Sequence, residues 1–146
     1  MKLRVMLADD HAMYREALCM FLQTQSDIEV VAQAADGHEV LKMVGEACPD
    51  VICMDIGMHG LDGIETTRQL LSVQPDVKVL ALSAHADPSR AAAIFNAGAL
   101  GYVIKGGVGA ELLAALRIVS RSQHYFDPAL GVSDAADLAR YMMPGA

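Results

Sequence analysis

Five short apolar segments recur along the chain, separated by stretches of mixed polarity. They are rich in Val, Ile and Leu and alternate little with polar residues, a pattern typical of strands that are covered on both faces of a sheet. The predicted strands are Leu3–Ala8, Ile28–Ala34, Val51–Met54, Val77–Leu82 and Leu100–Ile104.

Apolar residues at helical spacing follow each of the first three segments and predict three amphipathic helices. Their inward positions are Tyr14, Ala17, Leu18, Phe21 and Leu22, then Val40, Leu41 and Val44, then Ile64, Thr67, Leu70 and Leu71. A fourth helix is marked by its ends instead. Asp87 is a predicted N-cap, Pro88 suits the first helical position, and Gly98 suits the left-handed residue beyond the last turn.

A fifth helix is predicted from Gly109 to Ser120, with Leu112, Leu116 and Val119 directed inward. Strands joined through helices pair in parallel, and such connections cover both faces of the sheet. The five strand–helix units therefore predict an α/β fold, a doubly wound parallel sheet of five strands.

The regular alternation stops after Ser122. The segment QHYFDPALGVSD (123–134) is predicted to be a linker rich in turn residues. Beyond it, Ser133 is a candidate cap for a short final helix that ends at Pro144-Gly145. That helix is expected to carry Leu138, Tyr141 and Met142 on one face.

Composition limits the class of protein. The 146 residues are 53% hydrophobic and 20% charged, which indicates one globular domain with a substantial core. The formal net charge is −7, and Lys and Arg occur singly, so direct nucleic-acid binding by this chain is not expected. No apolar segment is long enough for a membrane span, and no signal peptide or anchor is found. Cys19, Cys48 and Cys53 lack metal-binding spacing, so we expect buried, reduced thiols in a cytoplasmic protein.

Five polar residues stand at the carboxyl ends of four predicted strands. They are Asp9, Asp10, Asp55, Ser83 and Lys105. In open α/β sheets, ligands bind beyond this edge, so we expect these side chains to converge on one site. Each has a simpler interpretation on its own: Asp10 as a helix cap, Asp9 and Lys105 as solvated residues, and Ser83 as a turn hydroxyl. Their joint placement favours a site.

Three carboxylates held close together repel each other, and each pKa rises unless a cation relieves the repulsion. Lys105 supplies one positive charge, and a divalent cation would supply more. Hard oxygen ligands with room for water favour Mg²⁺. Because attack on phosphorus depends mainly on positioning and charge stabilisation, Asp55 is a candidate nucleophile for phosphoryl transfer.

Four segments of the chain resemble the receiver domain of bacterial response regulators, which has a CheY-like, flavodoxin-like fold with strand order 2-1-3-4-5. They are LADDH (7–11), VICMDIGMHGLDGIE (51–65), VLALSAH (79–85) and GALGYVIKG (98–106). The resemblance covers about residues 1–122. Together with HYFDP (124–128), it is strongest to the NarL/FixJ group of LuxR-type regulators, which usually carry a C-terminal DNA-binding helix-turn-helix.

The resemblance implies a role for each site residue. Asp55 would accept a phosphoryl group from a sensor histidine kinase, in a reaction that depends on Mg²⁺. Asp10, Asp55 and the carbonyl of Gly57 would bind the ion directly, and Asp9 would bind it through water. The remaining roles belong to the phosphoryl group and the switch. Ser83 and Lys105 would contact phosphoryl oxygens, and Tyr102 would move inward when Ser83 is drawn to the phosphoryl group.

Three positions depart from the usual family pattern. Gly57 stands where many relatives carry a larger side chain, so we hypothesise an unusually accessible or short-lived phosphoryl group. His59 replaces a frequent Pro, which predicts a looser loop, and Lys105 precedes Gly106 rather than Pro. His59 and His85 are minor candidates for metal binding or acid–base chemistry.

Residues 123–146 are too few for a DNA-binding domain, and Arg140 is the single basic residue among them. We therefore expect a receiver excised from a longer transcription regulator, with a natural stand-alone receiver as the alternative. A homodimer is possible through the first and fifth helices or through the fourth helix and fifth strand. The competing classes are a phosphatase-like hydrolase, which usually needs an acid where Gly57 stands, and an interaction domain with a vestigial site.

Overall fold

The computed structural model describes residues 2–58, 60–106 and 109–142, with residue 142 described by its backbone alone. A six-stranded parallel sheet forms the centre of the fold, in the order β2-β1-β3-β4-β5-β6. The strands are β1 Leu3–Ala8, β2 Ile28–Ala34, β3 Val51–Asp55, β4 Lys78–Ser83, β5 Gly101–Ile104 and β6 Tyr125–Phe126.

The first five strands confirm the prediction from apolar segments, with ends that differ by one residue at most. β6 contradicts the predicted five-stranded sheet and the assignment of its residues to a linker. It pairs in parallel with the edge of β5, where Tyr125 N donates to Leu100 O at 3.0 Å. Two residues carry no periodic pattern, so this strand exists because a neighbouring strand offers it main-chain partners.

Within the described residues, six α-helices pack around this sheet. They are α1 Ala12–Gln23, α2 Gly37–Ala47, α3 Gly63–Val73, α4 Pro88–Asn96, α5 Gly109–Ser120 and α6 Ala135–Ala139. α1 and α5 cover one face, and α2, α3 and α4 cover the other. The two cores are separated by the alternation of β1, which directs Val5 and Leu7 to the first face and Met6 and Ala8 to the second.

Acidic N-caps fix where several helices begin. The Asp87 side chain accepts from the backbone N–H groups of Ser89 and Arg90, which confirms the predicted start of α4. Gly98 has φ +117°, so the predicted left-handed residue beyond that helix is also confirmed. α1 instead begins after His11 without a side-chain cap, so Asp10 does not cap it.

The segment from 123 to 142 packs back onto α4 and the edge of β5. Phe126 stacks on Phe95 of α4 with ring centroids 4.9 Å apart, and Leu138 is buried. The predicted cap at Ser133 is wrong: Asp134 caps α6, and Ser133 donates to Asp137 instead. The expected shared face also fails, because Tyr141 is exposed while Leu138 is buried.

Three other expectations concern the whole chain. No helix in the described part is long and apolar enough to cross a membrane. All three cysteines are free, as expected, but Cys48 is exposed rather than buried. The predicted end at Pro144-Gly145 and the side chain of Met142 lie outside the described residues.

Candidate functional site

The carboxyl ends of β1, β3, β4 and β5 bring the predicted polar residues to one edge of the sheet. Asp55 is the last residue of β3 and Ser83 the last of β4. Asp9 and Lys105 directly follow β1 and β5. Because β1, β3, β4 and β5 are neighbours in the sheet, residues distant in sequence meet here.

The Lys105 ammonium is the cation at the centre of this edge. Its Nζ lies 2.7 Å from Asp9 Oδ2 and 3.4 Å from Asp55 Oδ2. It also lies 4.6 Å from the centroid of the Tyr14 ring, a favourable position for a cation on an aromatic face. The lysine therefore bridges two carboxylates that would otherwise repel each other.

The Asp55 carboxylate is buried and held by both of its oxygens. Oδ1 accepts from the backbone N–H of Gly57 at 2.9 Å, and Oδ2 faces Lys105. Burial raises the pKa of the Asp55 carboxyl above its usual value, and the negative charge of Asp9 adds to this, whereas the Gly57 hydrogen bond and Lys105 oppose it. The carboxylate is thus oriented but poorly solvated.

The backbone behind Asp55 leaves no room for a larger residue at the start of α3. A Cβ placed on Gly63 would lie 2.6 Å from the carbonyl oxygen of Asp55. α3 can therefore begin directly against the end of β3. This close approach fixes the position of the β3–α3 loop at the point where the loop enters α3.

The acidic pair is joined by a histidine that was not predicted from the sequence as a site residue. His11 Nδ1 lies 3.1 Å from Asp9 Oδ1, 3.2 Å from Asp10 Oδ1 and 3.9 Å from Asp55 Oδ2. One ligand atom from each of these four residues lies within 4.8 Å of all the others. The position of His11 directly after two acids was the only signal in the sequence.

Ser83 and Tyr102 both contact the main chain of His85. The His85 N–H donates to Ser83 Oγ at 3.2 Å, and the Tyr102 hydroxyl donates to the His85 carbonyl at 2.8 Å. Ser83 is buried, and Tyr102 is fully buried with its ring inside the core. The main chain of His85, two residues after the end of β4, therefore links the Ser83 hydroxyl to the Tyr102 side chain of β5.

A cavity of about 350 Å³ opens above these groups. It is lined by Asp55, Ser83 and Lys105 and, from the α4 side, by Arg90. The Arg90 guanidinium, which the sequence analysis missed, donates from Nη2 to the Ile56 carbonyl at 3.1 Å. Arg90 lies three residues after the predicted N-cap Asp87, so the sequence places it in the first turn of α4. The sequence does not indicate which way its side chain points.

The structure brings together every residue predicted from the strand ends. His85 lines the cavity, while His59 lies outside the described residues. The arrangement supplies a buried carboxylate oxygen, two cationic side chains and a hydroxyl around an open space. Such a set suits the acceptance of a dianionic phosphoryl group.

Comparison with known proteins agrees with this fold and identifies the family. The family described as the response regulator receiver domain matches residues 5–117, and the chain belongs to it. The protein is a receiver domain of the two-component response regulators, related to LuxR-family regulators.

Two curated relatives show the extent of this similarity. The transcriptional regulatory protein LiaR of Bacillus subtilis is 41% identical over 121 residues, covering 83% of this chain and 57% of LiaR. The transcriptional regulatory protein DegU of Brevibacillus brevis is 38% identical over 127 residues, covering 87% of this chain and 54% of DegU. The chain thus spans little more than half of these relatives.

Solved structures resemble the chain over most of its length. A LuxR-family two-component response regulator from Aurantimonas sp. has a TM-score of 0.86 at 31% identity, covering 97% of this chain and 99% of that structure. The receiver domain of the putative response regulator NarL from Mycobacterium tuberculosis has a TM-score of 0.79 at 30% identity, covering 84% and 98%.

Proposed function

We propose that Asp55 is the phosphoacceptor of this receiver domain and takes its phosphoryl group from a sensor histidine kinase. The observation that carries the proposal is the fixed carboxylate of Asp55, buried at the end of β3 between Gly57 and Lys105. In the step, a carboxylate oxygen bonds to phosphorus as the phosphorus–nitrogen bond of the phosphohistidine breaks. The leaving imidazole nitrogen takes up a proton, and an aspartyl phosphate remains.

The acidic residues fit a magnesium ion. Asp10, Asp55 and the carbonyl of Gly57 would hold it directly, since these are the hard oxygen donors that Mg²⁺ prefers. Asp9 would bind through water, because its Oδ1 accepts from the His11 N–H at 2.8 Å and its Oδ2 pairs with Lys105. A bound ion would neutralise negative charge between the carboxylates and the phosphoryl oxygens.

Ser83 and Lys105 would contact the phosphoryl oxygens. The Ser83 oxygen accepts from the His85 N–H at 3.2 Å, and its hydroxyl lines the cavity beside Asp55, from where it would donate to a phosphoryl oxygen. The Lys105 ammonium is already within 3.4 Å of Asp55 Oδ2 and would pair with a second oxygen.

Ser83 and Tyr102 would form the switch. Tyr102 already has the inward position, so the structure resembles the arrangement expected after phosphorylation. Loss of the phosphoryl group would release Ser83 and allow Tyr102 to turn outward. The output would be a change in the face formed by α4 and β5.

The chain would act as a switch that catalyses its own phosphoryl transfer and hydrolysis, not as a separate enzyme. Gly57 offers no titratable group that could serve a phosphatase. A vestigial interaction domain is disfavoured because Asp9, Asp55 and Lys105 remain in contact.

Residues 1–122 would form the receiver unit, and residues 123–146 would link it to a DNA-binding output in a longer regulator. A kinase is the expected partner, and a homodimer is a second possibility. Of the two candidate dimer faces, the one at α4 is packed against α6 and its neighbours. The face at α1 and α5 would therefore serve, and it exposes Met13 and Met20.

Phosphorylation can be tested by incubating the protein with acetyl phosphate and Mg²⁺ and measuring its intact mass. We expect the wild type to gain one phosphoryl group, Asp55→Asn to gain none, and Asp10→Ala to gain little. EDTA should abolish the gain. A phosphorylated Asp55→Asn protein, or a wild type that stays unmodified with both small donors and kinases, would disprove the proposal.

A further inference from the structure

Arg90 joins α4 to the segment that follows the phosphoacceptor. It lies in the first turn of α4, and its Nη2 donates to the main-chain carbonyl of Ile56, the residue next to Asp55. The same side chain lines the cavity above Asp55, together with Ser83 and Lys105. A second long cationic side chain therefore lines the cavity, from α4 rather than from the end of β5.

The main chain of Arg90 is fixed by the N-cap of α4, whereas its guanidinium has more freedom to move. Asp87 accepts from Arg90 N–H at 3.4 Å, and Pro88 fixes the first helical position. The side chain itself is exposed, and the contact with Ile56 uses one of the five donor hydrogens of a guanidinium. The guanidinium therefore keeps donors for a further acceptor in the cavity that it lines.

Phosphorylation changes the balance of charge in the cavity. An aspartyl phosphate carries more negative charge than the Asp55 carboxylate it replaces. Lys105 is already shared between Asp9 and Asp55, whereas Arg90 makes no ion pair with a carboxylate among the described residues. Arg90 is thus a cation that can pair with the added negative charge.

Gly57 adds no side chain to the cavity that Arg90 and Asp55 both line. A Cβ placed on Gly57 would meet Asp55 Oδ1 at 3.6 Å and, apart from its own chain neighbours, no other described atom within 4 Å. Gly57 and Arg90 line the same cavity. The planar fork of a guanidinium matches two phosphoryl oxygens, which a lysine cannot do.

We propose that Arg90 is a phosphoryl-binding residue that leaves the Ile56 carbonyl and donates to the oxygens of the group on Asp55. This inference rests on the proposed function of Asp55 as phosphoacceptor. The exchange breaks the link between α4 and the segment after β3 when the phosphoryl group arrives. Arg90 then reports phosphorylation to α4 by a route separate from Ser83 and Tyr102.

The test uses beryllium trifluoride, a mimic of the phosphoryl group, with Mg²⁺ and the full chain. Its affinity is measured by calorimetry, and the bound fluorines are followed by ¹⁹F NMR. The variants are Arg90→Ala, Arg90→Lys and the control Arg68→Ala, which removes an equal charge from the exposed face of α3. Thermal unfolding of each variant without the mimic reports any loss of fold.

We expect Arg90→Ala to weaken mimic binding about tenfold, which equals about 1.4 kcal/mol. At least one bound fluorine resonance should shift, because a donor to that atom is lost. Arg90→Lys should bind with intermediate affinity, since it keeps the charge without the fork. Arg68→Ala should match the wild type in affinity and in fluorine shifts.

The roles of Asp55 and Arg90 are tested by different outcomes. If the wild type does not bind the mimic, the proposed function of Asp55 is wrong. If the wild type binds it and Arg90→Ala binds equally well with unchanged fluorine shifts, only the role of Arg90 is wrong. Equal weakening by Arg68→Ala would also overturn that role, because the effect would then be one of net charge.

Discussion

Lys105 Nζ lies closer to Asp9 Oδ2, at 2.7 Å, than to Asp55 Oδ2, at 3.4 Å. The lysine is therefore paired mainly with the carboxylate that would not accept phosphate. Asp9 holds the Lys105 ammonium beside Asp55, and the ammonium neutralises the Asp55 carboxylate only in part. This arrangement gives Lys105 a role in stability as well as in phosphoryl transfer.

Lys105→Met should destabilise the protein in the absence of divalent cations, because Asp9 and Asp55 would then face each other without the ammonium. We expect the free energy of unfolding to fall by about 2 kcal/mol, the scale of charge-assisted hydrogen bonds. Urea unfolding in EDTA at neutral pH measures it. Asp9→Asn in the same background should recover part of the loss, and a double-mutant cycle without coupling would contradict the pairing.

Gly57→Arg should lengthen the lifetime of the phosphoryl group by shielding it from water. We expect a lifetime about threefold longer, or roughly 0.6 kcal/mol in activation free energy. The decay of phosphorylated protein is followed by intact mass, with Gly57→Ala as the control that fills too little space to shield. Equal lifetimes for wild type and Gly57→Arg would rule out an unusually accessible site.

Leu138→Ala should loosen the segment packed on α4. Leu138 is 3% exposed, and removing a buried leucine side chain costs about 2 kcal/mol or more. Hydrogen exchange at the Ile104 amide reports the loss, because that N–H donates to Asp127 Oδ2 at 2.9 Å. Tyr141→Ala is the control at an exposed position of the same segment. Unchanged exchange in Leu138→Ala would show that this packing does not hold Asp127 in place.

Tyr125 should ionise late in an alkaline titration. Burial raises the pKa of the Tyr125 hydroxyl to about 12, and its hydrogen bond to Glu111 adds to the effect. The raised pKa contributes stability that is fully present below the usual tyrosine pKa of about 10 and is lost as pH rises towards 12. Absorbance near 295 nm should lose a late step in Tyr125→Phe. Loss of a step at about pH 10 instead would contradict this assignment.

The sequence predicts the parts of this fold that depend on pattern. Strands β1 to β5 are covered on both faces, so their apolar segments mark them without reference to neighbours. The edge rule for parallel sheets then places Asp55, Ser83 and Lys105 together. By contrast, Tyr125–Phe126 forms a strand only because β5 has an open edge, and this is a tertiary effect.

The site shows the same division. Main-chain positions follow from strand ends, but the direction of a long side chain depends on the cavity around it. Arg90 and His11 were missed for this reason: Arg90 turns towards the Ile56 carbonyl and His11 towards the carboxylates, through contacts that no spacing encodes. The cap of α6 was misplaced by one residue because Ser133 and Asp134 are both good caps.

The pairing of β6 with β5 closes one border of the sheet. A strand at a border presents unpaired N–H and C=O groups that can recruit another chain. Tyr125 and Asp127 meet these groups at Leu100 and Tyr102, each through a 3.0 Å hydrogen bond. A protein truncated after residue 122 would expose the Leu100 and Tyr102 carbonyls, and its molecules would be prone to associate through the edge of β5.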